Sequence, residues 1–245
     1  MSRRRRRALL SSGISSIISR GLQFHYDASN VAGTGVQPSD GALTTWTDLS
    51  GNNFSMIGTT SKPTFQNSSY NSHPGVNFNG SSNFMQTTAH ALANFSTEGT
   101  FYFILNDTVV QPSSILCNNP DDSENRFNFH CPFAGGTIYF DFGSEAGGGR
   151  LSTPWGGVID TPYVFAFTVT AAEGGQMNIY RDGVLIGNQN TSSSISLPTA
   201  LIRMGVTTND NTFYHGKMSE LIGQNVFTNA TDIATVSAVL LAKWS

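Results

Sequence analysis

The chain has 245 residues, of which only 12% are charged, 38% hydrophobic and 11% aromatic, with 17 Phe and 25 Gly. That mixture excludes a helical bundle, which needs Glu, Lys, Leu and Ala, and suits one large domain of short strands joined by polar turns. The formal net charge is −3, from 13 Lys+Arg against 16 Asp+Glu; without Arg3, Arg4, Arg5, Arg6 and Arg7 it is eight against 16, or −8, which excludes a basic nucleic-acid-binding face on the body.

Taken in chain order, the five arginines come first. A run of like charges repels itself and behaves as a solvated interaction tail, and guanidinium groups suit an anchor to a polyanion or an acidic neighbour. Leu10, Ile14, Ile17 and Ile18 follow at near-helical spacing, as in an amphipathic segment that docks on a partner. The stretch imitates a secretory leader, but serines and glycines interrupt its apolar part and no small-x-small cleavage pattern follows. No apolar run is long enough to span a bilayer. The expected division is a basic arm over residues 1–20 and a body over 21–245.

From Gly21 the pattern changes to strands. LQFHYDA (22–28), GVNFNG (75–80), TFYFILN (100–106), TIYFDFG (137–143) and YVFAFTVT (163–170) are dense in β-branched and aromatic residues, and each is bounded by turn formers. In GGQMNIYRDGVLIGN, Met177, Ile179 and Arg181 alternate into Asp182-Gly183, and Val184 and Ile186 lead out, which predicts a hairpin with a primed or bulged turn. ALIRMGV and YHGKMSELIGQNVF supply further strands. In TDIATVSAVLLAKW, Ile233, Val236, Val239 and Leu240 share a helical face, with Thr228 or Thr231 expected as the N-cap.

FHYDASN (24–30), TWTDLSGNNF (45–54), KPTF (62–65) and PGVNFNGSSNFM (74–85) resemble, in that order, the opening of concanavalin A-like, laminin-G-like lectin domains. FAFTVT (165–170), MNIYRDGVLIG (177–187), IRMG (202–205) and FYHGKMSELIGQNVF (213–227) resemble the second half of the same family, down to a terminal helix ending in Lys243-Trp244. The resemblance covers about residues 21–245. It implies an all-β fold, a jelly-roll sandwich of two antiparallel sheets with a short C-terminal helix. Trp46 and Phe78 have the size to anchor its core, while Asp48, Ser50 and Gly51 suit a tight turn.

Some relatives of this fold are glycoside hydrolases, whose chemistry needs two facing carboxyl groups. The five glutamates, Glu98, Glu124, Glu145, Glu173 and Glu220, are nowhere closer than 21 positions, so the paired-strand motif is absent. The five histidines are scattered and no serine sits in a nucleophile elbow, so no catalysis is expected. Laminin-G-like relatives often carry calcium, and Asp27 with Asp48, residues 119–125 and residues 207–213 offer oxygens, yet none follows a spaced ligand pattern and the sequence assigns no metal. A sugar platform would come from Trp155 with Tyr163, or from Tyr214 and His215 beside Asn209 and Asp210. Cys117 and Cys131 flank a polar turn-forming segment, where they could face each other across a hairpin as a disulfide or stay as buried thiols. The arm and the lectin-like body together suggest a non-catalytic structural virion protein, a capsid, decoration or tail component in an oligomeric assembly, whose arm meets other virion proteins, nucleic acid or another polyanion. The alternative is an extracellular or cell-surface lectin that binds glycans.

Overall fold

A computed structural model describes residues 13–245 apart from 121, 172, 173, 208 and 210. In chain order its strands are β1 (Leu22–Asp27), β2 (Gly41–Ala42), β3 (Thr45–Trp46), β4 (Met56–Gly58), β5 (Thr64–Tyr70), β6 (His73–Asn79), β7 (Met85–Thr87), β8 (Glu98–Asp107), β9 (Leu116–Asn119), β10 (Phe127–Phe133), β11 (Thr137–Phe142), β12 (Arg150–Pro154), β13 (Pro162–Thr170), β14 (Gln176–Arg181), β15 (Val184–Asn190), β16 (Leu201–Met204) and β17 (His215–Gln224). They form two antiparallel sheets. The first runs β15-β14-β13-β8-β17-β6-β5-β2, with β1 also paired to β17; the second runs β12-β11-β10-β9-β16-β7-β4-β3.

The period-2 alternation of strand side chains builds the core between them. Phe101 and Phe103 of β8 point inward and meet Phe129 of β10, each at a ring-centroid distance of 5.0 Å. Phe129 in turn stacks on Phe140 of β11, also at 5.0 Å. Trp46 and Phe78 are buried, as their size predicts. The β14–β15 hairpin turns on Asp182 (φ 53°) and Gly183 (φ 81°), the two consecutive left-handed residues a primed turn requires.

The C-terminal helix (Ala230–Trp244) lies against β13 of the first sheet and buries Ile233, Val236, Leu240 and Trp244. Two expectations about it are corrected. Its N-cap is Asn229, whose side chain accepts the Asp232 N–H at 3.0 Å, rather than a threonine. Val239 stays exposed, because the buried stripe runs from Leu240 to Trp244. Residues 13–18 are also helical, and Ile14 is buried while Ile17 and Ile18 pack on the core. The buried Gln224 side chain donates to the carbonyls of Ile17 (2.7 Å), Ile18 (3.0 Å) and Arg20 (2.8 Å), satisfying the orphan acceptors at that helix end. Arg20 pairs with Asp232 of the C-terminal helix. Of the three isoleucines that were expected to dock a partner, Ile14 is buried by its own chain and Ile17 and Ile18 are partly buried by it. Arg3–Arg7 and Leu10 lie outside the described residues.

Both cysteines are buried thiols, not bridged. Cys117 stands opposite Asn128, three residues from Cys131 along β10. At about 3.3 Å per residue that offset is roughly 10 Å, beyond the ~7 Å a disulfide tolerates.

Candidate functional site

Covering the first sheet with the helix leaves polar and charged side chains on the outer face of the second. There the pairing register aligns one cross-strand row: Arg150 opposite Asp141, Asp141 opposite Asn128, Asn128 opposite Cys117, Cys117 opposite Arg203, and Arg203 opposite Gln86. The same alternation that sends Phe127, Phe129, Phe140 and Phe142 inward sends Asn128, His130, Tyr139 and Asp141 outward. In loop 205–214, which carries the chain from the second sheet back to the first, Thr207 and Asn209 border this face, and the Val206 carbonyl accepts from the buried Cys117 thiol at 3.1 Å.

Under that loop is a cavity of about 120 Å³ lined by Asn118, Arg126, Asn128, Asp141, Arg150, Thr207 and Asn209. Asp141, buried, is gripped bidentately by Arg150, Nε to Oδ1 at 2.6 Å and Nη2 to Oδ2 at 2.9 Å. This fork fixes both groups before any ligand arrives. It also raises the Arg150 pKa further above its already high value, chiefly through the hydrogen bond it donates to Asp141. The second edge of the Arg150 guanidinium faces Glu145, whose Oε2 also accepts from Arg126 at 3.1 Å. Arg150 lies 5.5 Å over the ring of Tyr139. His130 beside it packs edge-on against Tyr139 and Phe133, and burial pushes its pKa down. The Asn128 carbonyl oxygen accepts from Ser114 at 2.6 Å, which orients its amide N–H groups away from that contact. The result is a fixed set of amide, hydroxyl and guanidinium groups around a small open space, able to donate and accept several hydrogen bonds at once.

Of the residues singled out from sequence, Asn209 lines this cavity and Asp210 lies outside the described residues. Trp155 and Tyr163 are together, ring centroids 6.5 Å apart, but at the far end of β12 from Arg150. Trp155 is buried and braced by Arg181, which donates to its carbonyl at 2.7 Å and lies 5.3 Å over the Tyr163 ring. Tyr214 is 1% exposed and packs against Phe78 inside the sandwich, so no glycan can stack on it. Both are core residues, because aromatic character marks burial and stacking platforms alike. Asn118, Arg126, Asn128, Asp141, Arg150 and Thr207 were not legible as a set. The one signal was the polar residue at alternate positions of the aromatic strands FNFH and TIYFDF.

Four other carboxylates are engaged elsewhere. Asp48 accepts from the N–H groups of His25, Ser50 and Phe54 and from the Ser50 hydroxyl, which makes it a turn cap. Asp122 caps Glu124 and Asn125 in the same manner. His25, Asp27 and Glu220 bring ligand atoms within 4.8 Å of one another. The Lys243 ammonium already occupies the position a cation would need, donating to Asp27 and to Glu220 at 2.6 Å each. A larger cleft of about 370 Å³ opens between β2 and β3; its walls mix apolar residues such as Val31, Ala42 and Phe65 with the hydroxyl residues Ser39, Thr44, Thr45 and Thr47, and hold no charged group.

No family model and no curated protein matches the chain. Solved structures do. Domain 4 of an extracellular arabinanase from Geobacillus stearothermophilus, in complex with arabinotriose, is 14% identical, with a TM-score of 0.65 over 88% of this chain and 98% of that domain. The binding domain of botulinum neurotoxin DC, in complex with SialylT, is 10% identical with a TM-score of 0.60; the match covers 91% of this chain and 52% of that one. A Ruminococcus gnavus sialidase module of family CBM40, bound to α2,3-sialyllactose, is 13% identical with a TM-score of 0.53 over 67% of this chain and 96% of that one. The chain folds as a lectin-like β-sandwich. At these identities the likeness extends to the fold, and the ligands named belong to those proteins.

Proposed function

We propose that this chain is a non-catalytic carbohydrate-binding module acting outside the cell, with its sugar site in the cavity under loop 205–214. The observation that carries the reading is the preorganised polar cavity on the one sheet face left free of the helix. The named structural neighbours support it, because each is a glycan-binding domain or was solved with a sugar. Binding rather than hydrolysis fits the two carboxylates here, since Asp141 and Glu145 are both paired with arginines and neither is placed as the protonated acid that glycoside cleavage needs. The virion reading rests on Arg3–Arg7, and nothing in the described fold adds to it.

The test is a glycan array followed by titration of Asn128→Ala and Asn209→Ala. Each removes hydrogen-bonding groups from the cavity wall, so each is expected to weaken the best glycan about five- to tenfold, the ~1 kcal/mol or more of a lost hydrogen bond; Asn209→Ala should keep the melting temperature, whereas Asn128→Ala also takes the acceptor of the buried Ser114 hydroxyl and should lower it slightly. Unaltered affinity in both variants would place the site elsewhere.

A further inference from the structure

We infer that the cavity receives a sugar bearing a carboxylate, and that Glu145, which sits beside the cavity between two of its lining arginines, holds the seat from which that carboxylate displaces it. This rests on the sugar-binding reading of the same cavity. Glu145 Oε2 lies between two guanidinium groups, 3.1 Å from Arg126 Nη1 and 3.4 Å from Arg150 Nη1. Two arginines converging on one carboxylate oxygen from two different strand ends make a seat for a planar anion. Arg150 reaches it with one guanidinium edge while its other edge is fixed by Asp141, so the seat keeps its shape whether Glu145 is in or out.

The occupant is loosely held. Its side chain is 58% exposed, and the two arginines are its only side-chain partners among the described residues. Exposed pairs of this kind contribute little. The short turn that carries it, Glu145–Gly147, is pinned through its backbone instead: Ser193 Oγ donates to the Ser144 carbonyl at 2.8 Å, and the Ser192 N–H to Gly147 at 3.3 Å. Side-chain rotation alone therefore vacates the seat. Within the cavity Asp141 balances Arg150, so when Glu145 leaves, Arg126 carries an uncompensated positive charge that only an anion restores. Asn128, Thr207 and Asn209 stand on the same wall, where sugar hydroxyls would lie once the carboxylate is seated.

The experiment titrates the full chain with α2,3-sialyllactose against lactose, with a galacturonate trisaccharide against arabinotriose, and with a sulfated disaccharide. Carboxylated sugars are expected to bind tighter than their carboxyl-free counterparts. Glu145→Gln, which keeps the shape and removes the competing charge, should tighten the carboxylated sugar about two- to tenfold and leave the neutral one unchanged. Arg126→Ala should abolish the preference, bringing the ratio of carboxylated to neutral affinity to about one, with the melting temperature unchanged. Preference for the sulfated sugar over the carboxylated ones, equal binding of carboxylated and neutral sugars, or weaker carboxylate binding by Glu145→Gln would each overturn the inference. Neutral binding that Asn128→Ala weakens would then leave the sugar-binding reading standing. No binding to any of these sugars by either form would overturn both.

Discussion

Asp107 ends β8, and the alternation that turns Phe101, Phe103 and Leu105 inward turns its carboxyl into the core as well. It is fully buried and neither oxygen has a hydrogen-bond partner. The titratable groups that face it are the Tyr214 hydroxyl, whose own bond is a long 3.4 Å one to the Lys217 carbonyl, and the Cys131 thiol; burial pushes the pKa of both up. Burial likewise pushes Asp107 up to about 8, against the opposing pull of Tyr214, from 3.8. The sign follows directly: between about pH 4 and pH 8 the folded state holds a proton that the unfolded state has lost, so stability falls as pH rises, by at most ~1.4 kcal/mol per unit. Asp107→Asn removes that slope. Urea unfolding at pH 5, 6.5 and 8 should show the variant gaining on the wild type by a few kcal/mol across the series, and parallel curves would mean that Asp107 is hydrated and ionised. The sequence hid this group because an Asn-Asp pair before a turn reads as turn chemistry, and only the strand register shows that β8 runs on to include it.

At the scale of elements, the C-terminal helix is locked to the sheet by charge as well as by its apolar stripe. Glu220 of β17 accepts from His25 Nε2 (2.8 Å), Lys243 Nζ (2.6 Å) and Trp244 Nε1 (2.7 Å), so one carboxylate ties a strand pair to the last turn of the helix. Burial pulls the Glu220 pKa up, but the His25 bond and the Lys243 charge outweigh it and hold it below 4.5. Burial likewise pulls Lys243 down, and the carboxylates of Glu220 and Asp27 outweigh it and raise it above 10.5. The depressed acid contributes stability above about pH 4.5 that is lost as pH falls through its folded pKa. The raised base contributes below about 10.5 and loses it as pH rises through its own. Lys243→Met leaves the two carboxylates facing each other without a cation. It should cost about 2–3 kcal/mol at pH 7, short of a fully buried pair because the lysine is about one-third exposed. Denaturation at pH 7 and pH 3 measures it, and a deficit that does not shrink in acid would assign the loss to packing alone. The helix itself was legible in its apolar spacing. Its cap was not, because Asn229 and Thr231 are equally good caps by residue type and only the strand exit at Gln224 decides between them. The β-rich body was legible for the same reason that its site was not: alternation gives each residue a face, whereas the row from Arg150 to Gln86 depends on which strands lie side by side, and Arg203 meets Gln86 across 117 positions of sequence.

At the scale of the whole molecule, charge separates two kinds of anion. Removal of residues 1–12 takes away five arginines and no other charged residue, leaving eight Lys+Arg against 16 Asp+Glu. A body of charge −8 repels a polyanion at long range, while the Arg126–Arg150 seat is a contact of a few ångströms that one sugar carboxylate can reach. The docked segment 13–18 stays in such a truncated chain, with Gln224 still bonded to it, so the sandwich is expected to keep its melting temperature. The truncated chain should pass through a column of immobilised DNA at 50 mM salt and still bind its glycan with full affinity. The full chain should be retained, and with five phosphates contacted on single- or double-stranded nucleic acid its log–log salt slope should be roughly −3.5 to −4.5, without sequence preference. Retention of the truncated chain would move polyanion binding onto the body and contradict the charge argument. Loss of glycan binding on truncation would instead make the arginine run part of the sugar site.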